Sequence, residues 1–449
     1  GIPWGMGILP FPLPLTLVLG DPIPTAGRTA LEVRHATQAA IAELVARYQG
    51  ISPVGKWVSP LAPVVLALLM GALYACYKTF RPGCYLYEAA KRDGSWTATR
   101  VVTVTLKKAP VWETVLHAIQ VHVPILQCTL RNGQLVRHEA LRIPWTVWVP
   151  DQPPPTFVDG DPLLQVSIEA GPEHQYHLYV RLTHTIADGT FATYVANQMV
   201  CLLDDPSLDA PPPPPLLVEP RLHMRDWLQW SLPCLRELLE YRWQFTGYDD
   251  ESVGQVYYEH FEIPADQMRV LLVRCKAERT TFHGLVTSAA AHAFPQPVVN
   301  VASLVSTRRS LSIPANCPGT FTATIICTAG QRPLWDEARN IRRRIQHVTT
   351  QHEKVRVHAS LSALGMLWLG RLGRVRLPIH IVVSNMGDVT NQMTSPSVQG
   401  THTYQYAPLQ QPLLFIHLTT FKGTCRVNVS HNGTRRRFVE DLQSCLMVV

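Results

Sequence analysis

The sequence predicts a mixed α/β fold of two α/β halves, and three observations support that prediction. Two-residue apolar alternation recurs through residues 84–449, segments with helical spacing follow it, and a run of prolines divides the region. The 449 residues are 46% hydrophobic, which is enough to bury a sizeable core. We therefore expect an N-terminal half over residues 84–208, a connector over 209–220 and a C-terminal half over 221–449.

The N-terminal half alternates strands with helices. Two segments, TRVVTVTLKK (99–108) and YHLYVRLTHT (176–185), place apolar residues at every second position, as a half-buried strand does. Each is followed by a segment whose apolar residues recur at three- and four-residue steps, WETVLHAIQVHVPILQ (112–127) and FATYVANQMVCLLDD (191–205). This order predicts helices packed against a sheet.

The connector and the C-terminal half follow. The segment DAPPPPPLLVEP (209–220) holds five consecutive prolines, which cannot enter a helix interior or a central strand and therefore predict a stiff, extended connector. Beyond it, one small-residue helix and four strands are expected: TTFHGLVTSAAAHAF (280–294) for the helix, and GQVYYEHFEIP (254–264), VASLVSTRRSL (301–311), PIHIVVSNMGDV (378–389) and CRVNVSHNG (425–433) for the strands.

The region before residue 84 contains two further segments. Residues 1–50 run from a proline-punctuated apolar stretch into an amphipathic helix, too little to fold alone. Residues 57–77 carry no charge, and twenty-one residues at a helical rise of about 1.5 Å match a hydrocarbon core of about 30 Å. They predict a transmembrane or membrane-associated helix, with a buried or surface-lying hydrophobic helix as the alternative.

The charge, cysteine and histidine patterns argue against a nucleic-acid partner, a disulfide framework and a metal site. The net charge of +7 is diffuse and accompanies no DNA- or RNA-reading motif, so we predict no nucleic-acid partner. The ten cysteines are scattered without a Cys-x-x-Cys pair, and His174 and His177 fall on opposite faces of one predicted strand. We therefore predict neither a disulfide framework nor a metal site.

The segment HTIADGT, residues 184–190, lies between a predicted strand and a predicted helix. His184 stands at the strand end, and an imidazole with a pKa near 6.5 can take a proton from a hydroxyl and return it. Asp188 can fix the turn, Gly189 allows backbone angles denied to other residues, and Thr190 can cap a helix that begins at Phe191. The alternative is a capping Asp-Gly turn with an incidental histidine.

With the strand before it and the helix after it, this segment resembles the His-x-x-x-Asp-Gly signature of CoA-dependent acyltransferases with the chloramphenicol acetyltransferase and condensation-domain fold. It looks closest to the alcohol acyltransferase and wax-ester-synthase-like branches. Four further segments match in the expected order, and the resemblance covers about residues 84–445: HVPILQCTL (122–130), DPLLQVSI (161–168), RTTFHGLVTSAAAHAF (279–294) and VVSNMGDV (382–389). Thr183 stands where wax-ester synthases and condensation domains usually carry a second histidine, and the Asp-Phe-Gly-Trp-Gly element of the plant branch is absent from the sequence.

The resemblance implies roles for individual residues. His184 would be the general base that deprotonates an acceptor hydroxyl, and Asp188 would be structural, paired with Arg308 or Arg309. Independently of the resemblance, the two arginines of STRRS (306–310) are candidates for binding the phosphates of CoA, because arginines can pair with phosphate oxygens; the alternative is a surface ion pair.

Ser384 or Asn385 would donate a hydrogen bond to the developing oxyanion. The two halves would enclose a tunnel for acyl-CoA and acceptor, with acyl-CoA as co-substrate, no permanently bound cofactor, no acyl-enzyme and no metal.

The N-terminal segment carries a second resemblance. ILPFPLPLTLVLGDPIPT, with the helix after it, resembles the C-terminal end of type-2 diacylglycerol acyltransferases over about residues 1–50, without that family's catalytic His-Pro-His-Gly element. These expectations together describe a membrane-associated O-acyltransferase that esterifies a lipid or long-chain alcohol, diacylglycerol being favoured. It would lie at the endoplasmic reticulum or lipid-droplet surface with its catalytic domain in the cytosol. The alternatives are carrier-protein-dependent condensation and a non-catalytic binder of acyl chains or partners.

Overall fold

A computed structural model describes part of the chain. It comprises residues 97–131, 134–147, 157, 160–212, 229–230, 257–296, 298–330, 332–350, 354–355, 379–404, 414–431 and 436–447. The chain separates into two compact units, Gly1–Leu69 and Met70–Val449, and every described residue belongs to the second. The segments predicted at residues 1–50 and 57–77 lie outside the described residues.

The first sheet has five strands in the order β11-β1-β6-β5-β4. Its members are β1 (Thr97–Thr105), β4 (Trp145–Val147), β5 (Leu164–Ala170), β6 (Gln175–Thr183) and β11 (Val398–Tyr404). Pairing is antiparallel except between β4 and β5. Helices α1 (Trp112–His122) and α2 (Gly189–Asp204) share one apolar core with this sheet, and a separate hairpin joins β2 (Cys128–Arg131) to β3 (Gln134–Arg137).

The second sheet has six strands in the order β7-β13-β12-β10-β8-β9. These strands are β7 (Tyr257–Ile263), β8 (Val299–Ser306), β9 (Thr322–Ala329), β10 (Ile381–Asp388), β12 (Leu414–Phe421) and β13 (Thr424–His431). Strand β10 runs parallel to both of its neighbours. The helices of this region are α3 (Ala265–Ala277), α4 (Phe282–Ala293), α5 (Leu334–Thr349) and α6 (Arg436–Met447).

The two faces of the second sheet differ in what they contact. Val383 on β10 and Ile416 on β12 belong to the large core that includes residues of all four helices. Because successive side chains of a strand point to opposite faces, Val382 and Phe415 lie on the other face, where they form a small separate apolar cluster. That second face also carries the polar residues described below.

Strand β11 connects the two predicted halves. Residues 398–404 fall within the predicted C-terminal half, yet they complete the first sheet, where His402 is the register partner of Val101. The two halves are therefore continuous in space although the chain passes from one to the other more than once.

Candidate active site

His184 lies directly after the last residue of β6, in the turn that leads to α2. Its side chain is partly buried, and its Nδ1 atom is buried without a hydrogen-bond partner among the described residues. Thr320, from the loop between β8 and β9, donates a hydrogen bond from Oγ1 to the His184 carbonyl oxygen over 2.6 Å. The end of one half's strand is thus held by the other half.

The environment of His184 favours the neutral imidazole. Burial lowers its pKa below the ordinary 6.5, while the residue's own backbone carbonyl and the nearby Asp188 act in the opposite direction. A neutral ring at physiological pH can accept a proton, which a cationic ring cannot. The side chain predicted to be the base is therefore in the form that a base requires.

Asp188 performs two structural tasks. Its Oδ1 atom accepts a hydrogen bond from the Phe191 backbone N–H at 3.0 Å, which caps the N-terminus of α2. Its carboxylate also receives a bidentate contact from Arg308, with Nε donating to Oδ2 at 2.8 Å and Nη2 to Oδ1 at 3.0 Å. The cap is consequently Asp188 and not Thr190, and the helix begins at Gly189 and not at Phe191.

The guanidinium of Arg308 is buried and fully engaged by the protein. Besides Asp188 it donates to the backbone carbonyls of Pro314 at 2.7 Å and Cys317 at 2.9 Å. A CoA phosphate would have to displace these partners, so the predicted contact of Arg308 with CoA phosphates is incompatible with its geometry. Of the two candidates, Arg308 forms the pair with Asp188, whereas Arg309 is exposed; phosphate binding by Arg309 stays a prediction.

Gly189 is required for a different reason from the one predicted. Its φ is not in the left-handed region, so special backbone freedom does not explain the residue. A Cβ atom at this position would overlap the Sδ and Cε atoms of Met386 on β10. The absence of a side chain therefore lets the start of α2 approach the second sheet closely.

We expect Gly189→Ala to lower the free energy of unfolding by about 1 kcal/mol, since the added methyl must displace the flexible end of the Met386 side chain. Chemical denaturation of the purified variants measures the effect. Gly400→Ala is the matched control, because its Cβ would lie 3.9 Å from Thr103, an ordinary contact. Adding Met386→Ala to Gly189→Ala should restore most of the loss, and a double variant no more stable than the single one would contradict this explanation.

The two candidate oxyanion donors lie on different faces of β10. Ser384 is the register partner of His417 on β12 and shares its face with Met386, which reaches Gly189. Asn385 is the partner of Leu418, a residue of the helix-side core, and its Oδ1 accepts from the Gly387 backbone N–H at 2.8 Å. Ser384 therefore remains a candidate, and the prediction for Asn385 is corrected because its side chain belongs to the other face.

His417 was not singled out from the sequence. It lies in the middle of β12 with 3% of its surface exposed, and neither ring nitrogen has a hydrogen-bond partner among the described residues. Burial, together with the charges of His184 and Arg100, lowers its pKa to about 4. A lone histidine in the otherwise apolar or hydroxyl-bearing segment LFIHLTTF (414–421) was the available sequence signal.

A pocket of about 190 Å³ opens between the two sheets. From the first sheet, the pocket is lined by Tyr179 of β6 and His402 of β11. From the second sheet, it is lined by residues of β7 and β13, among them His260 and Arg426. Asn428, which lines this pocket, is the register partner of both His417 and His260. A row of side chains on one face thus leads from the pocket toward Ser384.

The described residues contain no group of three or more histidine, cysteine, aspartate or glutamate side chains that could hold a metal ion.

The chain resembles many solved structures, including the following three. A trichothecene 15-O-acetyltransferase from Fusarium sporotrichioides aligns with a TM-score of 0.60 and 10% identity, over 81% of this chain and 93% of that one. The starter condensation domain of rhizomide synthetase, in complex with C8-CoA, gives 0.59 and 14%, over 81% and 93%. The condensation domain of the monacolin K polyketide synthase gives 0.57 and 11%, over 82% and 95%.

The predicted location at the endoplasmic reticulum or lipid-droplet membrane is wrong. No helix within the described ranges is long and apolar enough to cross a membrane. The solved structures that the chain resembles are acetyltransferase and condensation domains.

Comparison at the level of sequence finds no match. No protein family model matches the chain, and no curated protein matches it in sequence. The structural matches extend over most of this chain and nearly all of the compared ones. The chain therefore has the α/β fold of condensation domains and CoA-dependent acyltransferases.

Proposed function

We propose that this protein is an O-acyltransferase that transfers an acyl group from acyl-CoA to the hydroxyl of an acceptor, with His184 as the general base. The observation that carries the proposal is the position of His184 at the end of β6, where Thr320 of the other half holds its backbone carbonyl and burial, by lowering its pKa, favours the neutral imidazole. Asp188 and Arg308 support the turn beneath it and do not contact the substrate.

The reaction needs one base and forms no acyl-enzyme. His184 accepts the proton of the acceptor hydroxyl while the oxygen attacks the thioester carbonyl carbon, which forms a tetrahedral intermediate. Collapse of that intermediate breaks the C–S bond, and the imidazolium returns its proton to the departing CoA thiolate. The products are an ester and free CoA, and the enzyme is restored.

Ser384 is the proposed donor to the oxyanion of that intermediate. It lies on the face of β10 that meets the start of α2, because Met386 on the same face reaches Gly189. A hydroxyl donor aimed at developing negative charge is worth more in a water-poor site than in solution.

The apolar cluster beside Ser384 supports a hydrocarbon-rich substrate. Val382 and Phe415 lie on the same face, packed with Ala302 and Ile379. We propose that a tunnel between the halves holds the acyl chain against this cluster, and that the acceptor is a lipid or long-chain alcohol. The presence of C8-CoA in the rhizomide synthetase domain is consistent with an acyl-CoA donor.

A second candidate function is acyl transfer from a carrier-protein thioester. It is favoured by the similarity to condensation domains of multi-domain synthases. The same base and oxyanion donor would serve it, and only the identity of the thiol that departs would differ.

The test supplies purified protein with labelled acyl-CoA of short, medium and long chain, each against fatty alcohols, sterols, diacylglycerol and amino acids. We expect an ester whose formation is matched by release of free CoA. Esters or amides formed from carrier-protein thioesters and not from CoA would favour the second candidate. Saturable acyl-CoA binding without any product would overturn acyl transfer in favour of a binding protein.

The pH dependence follows from the lowered pKa of His184. The reaction needs the neutral ring, so kcat/KM should be highest near pH ~8 and should fall to half of its plateau only at a pH below 6.5. Initial rates of ester formation across that range measure it, with protein integrity followed at each pH. A decline centred at or above 6.5 would show that the base is not desolvated.

A further inference from the structure

His417 is a buried polar side chain that the proposed chemistry has not yet used. Phe415 stacks parallel to its ring, with centroids 6.0 Å apart and an interplanar angle of 2°. Its two ring nitrogens are buried and have no hydrogen-bond partner among the described residues. Leaving a buried donor and acceptor unpaired costs free energy, so such a group is expected to bind an ordered water or a polar group of a ligand.

The neighbouring polar residue on β13 does not supply that partner. Asn428 is in register with His417, but its Nδ2 donates to the Thr403 carbonyl at 2.9 Å and its Oδ1 accepts from Arg426 at 3.3 Å. The other register partner, Ser384 on β10, lies one strand spacing away, about 4.8 Å, on the same face. Ser384 and His417 therefore present their polar atoms side by side.

This face is turned toward His184. Two residues beyond Ser384, Met386 reaches Gly189, five residues along the chain from the base. Two residues beyond His417, Thr419 accepts a hydrogen bond from Arg100 of β1 at 3.4 Å. His184 is also close enough for its protonated form to lower the pKa of His417, so the two imidazoles share one electrostatic environment.

Arg100 gives that environment a positive character. Its guanidinium is buried and donates to the neutral hydroxyls of Thr193, Thr403 and Thr419. Burial lowers its pKa to about 9, so it remains a cation at neutral pH. A buried positive charge and neutral hydrogen-bond donors together suit a group that becomes negative during reaction.

We propose that His417 is a second oxyanion donor, which acts beside Ser384 and hydrogen-bonds to the thioester carbonyl oxygen as it acquires negative charge. This inference rests on the proposed acyl transfer and assigns a catalytic role to a residue outside the His-x-x-x-Asp-Gly segment. A neutral imidazole carries one N–H for this purpose, and its other nitrogen is left to accept a hydrogen bond from substrate or water.

The test compares His417→Leu with His417→Gln. Leucine removes the donor at similar volume, and kcat should fall on the order of 10²–10³-fold with little change in KM for acyl-CoA. Glutamine keeps an N–H donor and should recover a substantial part of that loss. His283→Leu is the matched control, because burial also lowers the pKa of His283 to about 4, yet it lies on α4 among the helices. Its kcat should not change.

A carbonyl-stretch measurement separates catalysis from folding. With acyl-CoA labelled at the thioester carbonyl, binding to the unaltered protein should shift the infrared band to lower frequency, and His417→Gln should retain more of the shift than His417→Leu. If His417→Leu transfers acyl groups within threefold of the unaltered protein, the inference is overturned while the proposed function stands. If the unaltered protein transfers no acyl group to any acceptor, both are overturned.

Discussion

His184→Ala is expected to reduce kcat for acyl transfer by a factor of about 10²–10⁴, the usual range for loss of a general base. The substitution removes the group at the end of β6 that accepts the hydroxyl proton in the proposed reaction. The rate of ester formation from labelled acyl-CoA, measured at saturating acceptor, gives kcat for each protein. The residual rate would report what Ser384 and His417 contribute without a base.

Stability must be measured alongside the rate. The Nδ1 atom of the His184 ring has no hydrogen-bond partner among the described residues, so removal of the ring should leave the melting temperature nearly unchanged. His283→Ala serves as the comparison, since it removes a desolvated histidine from α4, away from the turn. Unchanged ester production by His184→Ala would exclude this residue as the base.

Asp188→Ala is expected to lower the free energy of unfolding by about 3–5 kcal/mol, because it leaves the buried Arg308 guanidinium without its counter-charge. The loss of the α2 cap adds to the effect, in the range of about 1 kcal/mol. Denaturant titration of both proteins measures it. Glu262→Ala is a suitable control: its contact with Arg426 is largely exposed and should matter by less than about 1 kcal/mol.

A double variant tests whether the loss of stability comes from leaving the Arg308 charge buried without Asp188. Replacing both partners, as in Asp188→Leu with Arg308→Met, removes the stranded charge and should cost less than Asp188→Ala alone. Normal stability of Asp188→Ala combined with lost turnover would contradict the structural role and would place Asp188 in the chemistry.

Much of this site could be predicted from local sequence. The alternation in YHLYVRLTHT gives the end of β6 correctly, and the turn residues after it separate that strand from α2. The start of the helix was misplaced because both Asp188 and Thr190 are good capping residues, and only the geometry shows which one accepts the Phe191 N–H. Local pattern thus finds the position of His184 but not the details of its support.

The features of the site that could not be predicted from the sequence depend on long-range contacts. Arg308 and Arg309 are adjacent and chemically identical, and the choice between them depends on which one faces a residue 120 positions earlier. The need for glycine at 189 likewise depends on Met386, nearly two hundred residues away. His417 meets Ser384 only because β12 lies beside β10 in the sheet, an order that periodicity does not encode.

The placement of β11 determines how the two halves respond to destabilising substitutions. This strand is synthesised long after the rest of the first sheet, yet without it β1 would lie at an edge with its backbone N–H and C=O groups unpaired. Neither half is then a complete folding unit. A destabilising substitution on either side should weaken both, so that they unfold in a single cooperative transition.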